Sequence, residues 1–152
     1  MRAVDLIPGL RFRRLEPDDA RELSYIELEI FPSPWSENAL RSCLELASVE
    51  GEAAVIKDQI VAYLFAQFAF DEAHIMNLGV RPKYRRKGIA QTLLKRFLDR
   101  QARRGTKTCY LEVRLSNRIA QKLYYDHGFA PLSLRKKYYP NGEDALILIK
   151  RF

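Results

Sequence analysis

Cysteine and histidine are scarce in this sequence, whose 152 residues include two of each. Cys43 and Cys109 have no CxxC spacing, so a disulfide framework is not expected and a reducing cytoplasm fits. His74 and His127 lie outside any metal-ligand pattern, so no metal site is expected. No apolar run approaches the roughly 18 to 20 residues that a membrane helix needs. Residues 1–10 also lack the apolar core of a secretory signal.

The rest of the composition is that of an ordinary globular protein, with 47% hydrophobic and 30% charged residues. The length fits one domain over residues 1–152, and no linker, repeat or low-complexity segment divides it. The formal net charge of +7 favours anionic partners, such as nucleic acid, a phosphorylated cofactor or an acidic protein surface. Solubility alone is the competing explanation of this charge.

The hydrophobic periodicity predicts an α/β domain in which helices cover a mixed sheet. Pro32 and Pro34 end the first long helix, because a residue that precedes proline disfavours helical conformation. Asp58 and Gln59 are the expected tight connection of an antiparallel hairpin. The predicted strands cover residues 10–15, 53–57, 60–70, 73–80, 108–115, 130–139 and 144–152. The predicted helices cover residues 16–30, 36–47, 89–105 and 116–128.

A basic, glycine-containing turn lies between a predicted strand and the start of the third predicted helix. A helix N-terminus offers unpaired N–H groups and the positive end of the helix dipole. Gly88 would let the backbone approach an anion closely, so the turn predicts a pyrophosphate site. The alternative is a solvent-exposed basic turn that binds no ligand and in which the glycine serves only the turn. The turn contains, in order, Arg85, Arg86, Lys87, Gly88, Ile89 and Ala90.

A carboxylate lies inside the apolar strand that follows. The period-2 alternation of a strand places Glu112 on one face with Tyr110 and Arg114. A carboxylate that is partly withdrawn from water there could act as a base; a simply solvated face is the alternative. Tyr124 follows Asn117 by two helical turns and lies on roughly the same helix face. A tyrosine of the core or the rim is the alternative for Tyr124.

These motifs together resemble the GNAT acetyltransferase superfamily, and more narrowly the RimI group of ribosomal-protein alanine N-acetyltransferases. Residues 85–90 match the Gln/Arg-x-x-Gly-x-Gly/Ala acetyl-CoA motif, with Ala90 where the RimI group more often has glycine. The likeness covers nearly the whole chain in the expected order. The other matching segments are residues 31–36, 77–80, 111–117, 120, 123–124, 128–129, 135, 138–140 and 143–145.

The resemblance implies a three-layer domain with a central, splayed mixed β-sheet flanked by helices, and acetyl-CoA as cosubstrate. It implies that Glu112 is the general base and that Tyr124 is the general acid and a cofactor contact. The other cofactor-binding residues that it implies are Leu78, Gly79, Val80, Arg85, Arg86, Lys87, Gly88, Ile89, Ala90 and Asn117. The acceptor-binding residues that it implies are Phe31, Pro32, Trp35, Asn77, Tyr138 and Tyr139.

The expected reaction is acetyl transfer from acetyl-CoA to the α-amino group of a protein N-terminus, with no metal. The resemblance suggests a small-subunit ribosomal protein with an N-terminal alanine as the acceptor. Neither a nucleic-acid role nor a membrane role is expected. One alternative is the same chemistry on a polyamine, an antibiotic or lysine. An alternative of another class is a basic ribosome- or RNA-binding module, because basic residues cluster at 83–87, 95–107 and 135–137.

Overall fold

The computed structural model describes residues 2–152, which form a seven-stranded sheet flanked by four α-helices. None of the helices within residues 2–152 has the length and apolar character of a membrane span. The order of the strands across the sheet is β1-β2-β3-β4-β5-β7-β6. The strands are β1 (Arg11–Arg14), β2 (Val49–Ile56), β3 (Gln59–Ala69), β4 (Glu72–Val80), β5 (Thr108–Arg114), β6 (Ala130–Arg135) and β7 (Ala145–Arg151). The helices are α1 (Ala20–Ile30), α2 (Glu37–Leu44), α3 (Ile89–Arg104) and α4 (Arg118–Asp126).

The sheet separates two helical layers. On one face, Leu23 and Ile26 of α1 and Leu40 of α2 are buried against side chains of β2 and β3. On the other face, Leu94 of α3 and Tyr124 of α4 join a core with residues of β3, β4 and β5. Each helix therefore buries one apolar stripe against the sheet. The predicted three-layer α/β arrangement is confirmed.

The sheet opens between its two central strands. β4 and β5 pair in parallel over three residue pairs, the last of which joins His74 and Tyr110. By contrast, β4 keeps its antiparallel pairing with β3 as far as Val80. The register of that pairing shifts around Met76, and a bulge of this kind bends a strand. β4 and β5 therefore diverge beyond His74, which confirms the predicted splay and leaves a V-shaped opening.

The second strand begins at Val49, four residues before its predicted start at residue 53. The prediction failed because glycine and charged residues interrupt the apolar pattern there. Gly51 lies so close to the neighbouring chain that a Cβ atom would come within 2.6 Å of Leu15 Cδ1. Glu52 is buried because it is paired with Arg96 of α3. Both residues therefore belong to the strand for packing reasons that periodicity does not register.

Other element ends also differ from the prediction. Residues 17–19 form a 3-10 turn, so that α1 begins at Ala20, and α2 ends at Leu44 rather than at residue 47. The hairpin turn is Lys57-Asp58, both with positive φ, rather than Asp58-Gln59. β6 ends at Arg135 rather than at residue 139, because Lys137 has a φ of 54° that a strand does not accommodate.

Candidate active site

A cleft of about 340 Å³ fills the opening between β4 and β5. Phe31, Pro32 and Trp35, from the loop between α1 and α2, form one wall. Tyr138 and Tyr139, from the loop between β6 and β7, form the opposite wall, where their rings pack edge to face with centroids 5.0 Å apart. The five aromatic or proline residues that the sequence predicts for acceptor binding therefore lie around one slot. Their predicted role in acceptor binding stays a prediction.

Glu112 lies at the apex of the opening. Its carboxylate Oε2 is 2.6 Å from His74 Nε2, and the Glu112 side chain is 14% exposed. The His74 ring stacks on the Tyr110 ring with centroids 4.5 Å apart. The alternation of β5 does place Glu112 with Tyr110 on the half-buried face, while Leu111 is in the core. Sequence reasoning missed His74, because no local pattern links it to a residue 38 positions away.

Tyr124 reaches the cleft from α4. It is 7% exposed, and its ring packs edge to face against Phe129 at 5.5 Å. Its phenol is protonated at neutral pH, and burial raises the pKa further. No group within residues 2–152 forms a hydrogen bond with that hydroxyl, and Tyr124 and Asn117 both line the cleft. The Asn117 side chain caps α4, because its Oδ1 accepts the Ala120 N–H at 3.1 Å.

The glycine turn has the backbone of an anion site. Gly88 has a φ of +82° and immediately precedes α3, which begins at Ile89 as predicted. A Cβ at Gly88 would meet nothing closer than 3.5 Å, so the backbone conformation is what favours glycine. The first N–H groups of α3 have no partner within the helix. Arg86 and Lys87 are exposed beside them, and Ala90 is half-buried.

Two of the predicted cofactor-binding residues have side chains that are already engaged within the protein. Ile89 is 1% exposed and packs in the core with Leu93, so only its backbone can meet a ligand. Arg85 is exposed, and its Nε donates to the carbonyl oxygen of Val80 at 3.2 Å. The other members of the turn keep their charged groups in solvent. A ligand here would therefore be met mostly by backbone N–H groups and by flexible cations.

The last residues of β4 turn part of their backbone toward the opening. The Arg81 N–H bonds the carbonyl oxygen of Val61 on β3, so strand alternation directs the N–H groups of Leu78 and Val80 away from β3. Asn77 Oδ1 accepts the Leu78 N–H at 3.1 Å. The Val80 N–H is therefore the one that remains for a ligand in this stretch of the described chain. Gly79 is buried, and a Cβ there would lie 2.9 Å from the hydroxyl of Tyr63, which belongs to the core under α1 and α2.

A buried carboxylate beneath the first wall was missed in the sequence. Glu27 of α1 is fully buried and accepts hydrogen bonds from the Tyr63 hydroxyl, Asn77 Nδ2 at 2.7 Å and the Trp35 N–H at 3.0 Å. Asn77, predicted to bind the acceptor, thus uses its side chain to connect Glu27 with β4. A signal was present, because Glu27 follows Leu23 by four residues and so lies on the apolar face of α1.

A cation that joins the two walls was also missed. Arg114 donates to Ser33 Oγ at 3.2 Å on one side of the cleft. On the other side it donates to Asn141 Oδ1 and Glu143 Oε1, both at 3.1 Å. Its guanidinium also stacks on the Tyr139 ring at 3.9 Å. Burial raises the pKa of Tyr139 to about 12, although Arg114 acts in the opposite direction.

No group of three or more His, Cys, Asp or Glu side chains arranged to hold a metal ion occurs within residues 2–152. What the fold and the cleft do combine is a splayed mixed sheet, a carboxylate at its apex, a protonated tyrosine and a glycine turn that opens a helix. Together with the resemblance seen in the sequence, these features identify the class as an acetyl-CoA-dependent acyltransferase.

Comparison with known proteins specifies this class further. The Acetyltransferase (GNAT) family matches residues 16–129, and the chain belongs to that family. It is 34% identical over 142 residues to the [Ribosomal protein bS18]-alanine N-acetyltransferase of Escherichia coli K12, a match that covers 88% of this chain and 92% of that protein. It is 37% identical over 139 residues to the protein of the same name from Haemophilus ducreyi, covering 86% and 92% of the two chains.

Solved structures agree with these sequence matches. The crystal structure of the ribosomal-protein-S18-alanine N-acetyltransferase from Escherichia coli superposes with a TM-score of 0.87 at 32% identity, covering 93% of each chain. Arabidopsis thaliana NAA60 in complex with a bisubstrate analogue superposes with a TM-score of 0.84 at 21% identity, covering 93% of this chain and 97% of that one, and shows the fold alone. The predicted resemblance to the RimI group, and the predicted class of acetyl-CoA-dependent N-acetyltransferase, are confirmed.

Proposed function

We propose that this enzyme acetylates the α-amino group of a protein N-terminus, in the cytoplasm, and that ribosomal protein bS18 with an N-terminal alanine is its first candidate acceptor. One observation carries the proposal: a slot walled by Trp35 and Tyr139 leads to the Glu112 carboxylate at the apex of the sheet. The names of the relatives at 34% and 37% identity supply the candidate. The two free, buried cysteines fit a reducing compartment.

The shape of the slot favours a chain end over an internal loop. Arg114 ties both walls together through Ser33 and Glu143, which limits how far they can separate. An extended N-terminus places a single chain segment in the slot, whereas an internal loop must place two segments there. The Tyr138 and Tyr139 hydroxyls can form hydrogen bonds with the backbone of such a chain end.

The chemistry also favours an α-amino group. An amine must be neutral to attack a thioester, and the ordinary pKa is about 7.7 to 8.0 for an α-amino group and about 10.4 for lysine. At neutral pH a chain end therefore loses its proton much more readily than a lysine does. One carboxylate with no metal is enough for that step, and Glu112 is the carboxylate that the cleft presents.

Each remaining step has a candidate group. The Val80 N–H, which points away from β3 two residues beyond the cleft-lining Leu78, stabilises the negative charge that develops on the carbonyl oxygen under attack. Tyr124, whose phenol is protonated at neutral pH, gives its proton to the departing sulfur. The slot and the opening hold the two reactants together, which supplies a further part of the rate. These roles rest on position and chemistry.

Acetyl-CoA supplies the activated acetyl group, and the residues of the opening fit it. Leu78 and Asn117 line the cleft, and Gly79 and Val80 continue β4 along the stretch that no longer pairs with β5. The turn of residues 85–90 offers N–H groups, a left-handed glycine and three exposed cations to a pyrophosphate. Polyamines, antibiotics and internal lysines are the competing acceptors.

The test is a panel of acceptors followed by release of free CoA. The panel contains peptides that begin with Ala, Ser and Met, the bS18 N-terminal peptide, N-blocked lysine peptides and spermidine. We expect turnover on free N-termini, with the highest kcat/KM on a chain that begins with Ala. Equal or faster turnover on spermidine or on N-blocked lysine peptides would contradict the proposed acceptor class.

The same assay with matched variants tests the roles of the two reactive side chains. Glu112→Gln and Tyr124→Phe should each lower kcat/KM by about 100-fold, the usual contribution of one acid–base group. Glu72→Gln and Tyr125→Phe change the same residue types at exposed positions outside the cleft and should leave the rate unchanged. A variant of Glu112 or Tyr124 with the activity of its control would remove that residue from the mechanism.

A further inference from the structure

The bond between His74 and Glu112 spans the place where the sheet divides. His74 belongs to the last residue pair that β4 and β5 share, opposite Tyr110. Glu112 is two residues further along β5, where that pairing has ended. The 2.6 Å contact between Nε2 and Oε2 therefore replaces backbone pairing at the apex of the cleft. No other group within residues 2–152 forms a hydrogen bond with the Glu112 carboxylate.

The direction of this hydrogen bond follows from its partners. An ionised carboxylate only accepts, so His74 Nε2 carries the hydrogen and donates it to Oε2. The other carboxylate oxygen, Oε1, has no hydrogen-bond partner among the residues that the structure describes, 2–152. The stacking of the imidazole ring on Tyr110, at 4.5 Å and 10° between planes, fixes the direction in which Nε2–H points. The ring side chain itself is 25% exposed along the cleft.

From this arrangement we infer that His74 is the positioning residue of the catalytic base: its N–H holds one oxygen of Glu112 so that the other faces the incoming amine. The role rests on the proposed function of Glu112. In the step itself, the ammonium N–H bond of the acceptor breaks and the proton bonds to Glu112 Oε1. The electron pair stays on nitrogen, which then attacks the thioester. His74 keeps its own proton throughout.

The competing cation for Glu112 is already engaged. Arg114 follows Glu112 by two residues on the same face of β5, roughly 7 Å along the strand. Its guanidinium is held by Glu143, Asn141 and Ser33. Without His74, the Glu112 side chain could rotate toward Arg114 and away from the slot. A misplacement of about 1 Å in such a group can lower a rate by roughly 100-fold.

Two substitutions with opposite hydrogen-bonding ability test the role. His74→Leu keeps the approximate volume but has no N–H, whereas His74→Gln retains an N–H that can donate to Oε2. We expect His74→Leu to lower kcat roughly 10- to 100-fold, with KM for the peptide and for acetyl-CoA changed less than about twofold. His74→Gln should recover most of that loss. His127→Gln, at the other histidine, which directly follows α4, is the matched control and should behave like the unmodified enzyme.

Three outcomes would contradict the positioning role of His74. Full activity in His74→Leu would show that Glu112 needs no positioning. Equal losses in His74→Leu and His74→Gln would mean that the ring itself transfers the proton, which also overturns a positioning role. In a Glu112→Gln background, His74→Leu should cause no further loss, because the two residues act as one unit. An additional loss of kcat there would separate His74 from Glu112.

Thermal unfolding of each variant detects a failure to fold. If His74→Leu does not fold, Tyr110→Ala replaces it, since loss of the stacked ring frees His74 while its N–H remains. Tyr110→Ala should then lower kcat, and Tyr110→Phe should not. An unmodified enzyme that is silent on every N-terminal peptide would overturn the proposed function and this role together. An active enzyme with unaffected His74 and Tyr110 variants would overturn the role alone.

Discussion

Two buried glutamates lie on opposite faces of the sheet and have opposite surroundings. Glu27, on the α1 side, is fully buried and meets only neutral groups, namely Tyr63, Asn77 and the Trp35 N–H. Burial raises its pKa, against the lowering effect of the hydrogen bonds from Tyr63 and Trp35. Its ionisation is therefore less favourable in the folded protein than in water.

Glu52, on the α3 side, is 8% exposed and meets two arginines instead. Arg96 binds both of its oxygens, at 2.8 and 2.7 Å, and Arg100 lies 3.4 Å away. Burial alone would raise the pKa of Glu52, but the Arg96 hydrogen bonds and the charges of both arginines lower it. The charge of this carboxylate is thus compensated within the protein.

Glu52 serves the stability of the fold, whereas Glu27 serves the construction of the site. Glu52 connects α3 with β2, far from the cleft, and any ion pair of the right geometry would serve there. Glu27 instead connects the first wall, through Trp35, with β4, through Asn77, directly beneath the slot. Its neutral donors give direction to the groups around it but do not neutralise its charge. Local features that cost stability are expected at functional sites, and the raised pKa of Glu27 fits a carboxylate that fixes Trp35 and Asn77 for function.

The largest effect should come from Glu27→Ala. The substitution leaves the Tyr63 hydroxyl, the Asn77 amide and the Trp35 N–H without their acceptor in a buried place. We expect a loss of about 3 kcal/mol in the free energy of unfolding, and a higher KM for the acceptor peptide because the Trp35 wall is released. Denaturant unfolding and steady-state kinetics measure the two quantities. A destabilised variant with an unchanged KM would reduce Glu27 to a purely structural residue.

Arg114→Leu should affect the cleft more than the fold. The guanidinium spans both walls and its side chain is 13% exposed, so its loss lets the walls move apart. We expect KM for the acceptor to rise about 10-fold, the equivalent of one charged hydrogen bond, with KM for acetyl-CoA unchanged. Arg151→Leu, an exposed arginine on β7, is the control. Equal rises in both KM values would show that Arg114 supports the sheet as a whole.

The parts of this site that the sequence predicted are those that local pattern determines. Alternation along β5 placed Glu112 on the half-buried face, and the basic turn located Gly88 at the start of α3. Gly105 ends that helix in the left-handed conformation, as expected of a glycine in that position. Each of these features is decided within a few residues of chain, by sterics and by hydrogen bonds of the backbone.

The parts that the sequence did not predict depend on partners far along the chain. Glu27 meets Tyr63 across 36 positions, and His74 meets Glu112 across 38. Arg114 meets Ser33 across 81. No spacing rule contains these distances, because the splay of the sheet creates the encounters. A single sequence can indicate that a charged residue lies on an apolar face, as for Glu27, but not which group compensates it.

A smaller effect is expected from Glu52→Ala, which tests the other side of the comparison. The side chains of Arg96 and Arg100 are 42% and 33% exposed, so water can solvate them once the carboxylate is gone. We expect a loss of about 1 to 2 kcal/mol in the free energy of unfolding, with kcat and both KM values unchanged. A change in KM of the size seen for Glu27→Ala would mean that the two sides of the sheet are coupled.

The smallest effect, and the sharpest in sign, concerns pH. Glu52 has a folded pKa below its ordinary 4.5, so its stabilising contribution is present above that value and is lost as the pH falls through the folded pKa. Glu27 has a folded pKa above 4.5, so its contribution is full in acid and declines as the pH rises through the raised pKa.

The free energy of unfolding of the unmodified enzyme, Glu52→Gln and Glu27→Gln, measured from about pH 3 to 7, resolves the two contributions. The deficit of Glu52→Gln should shrink toward acid and that of Glu27→Gln should shrink toward neutral pH, because one carboxylate is compensated by cations and the other is not. Deficits that run parallel across the range would show that both carboxylates have the same surroundings in solution, and the contrast between the two faces of the sheet would then have no energetic basis.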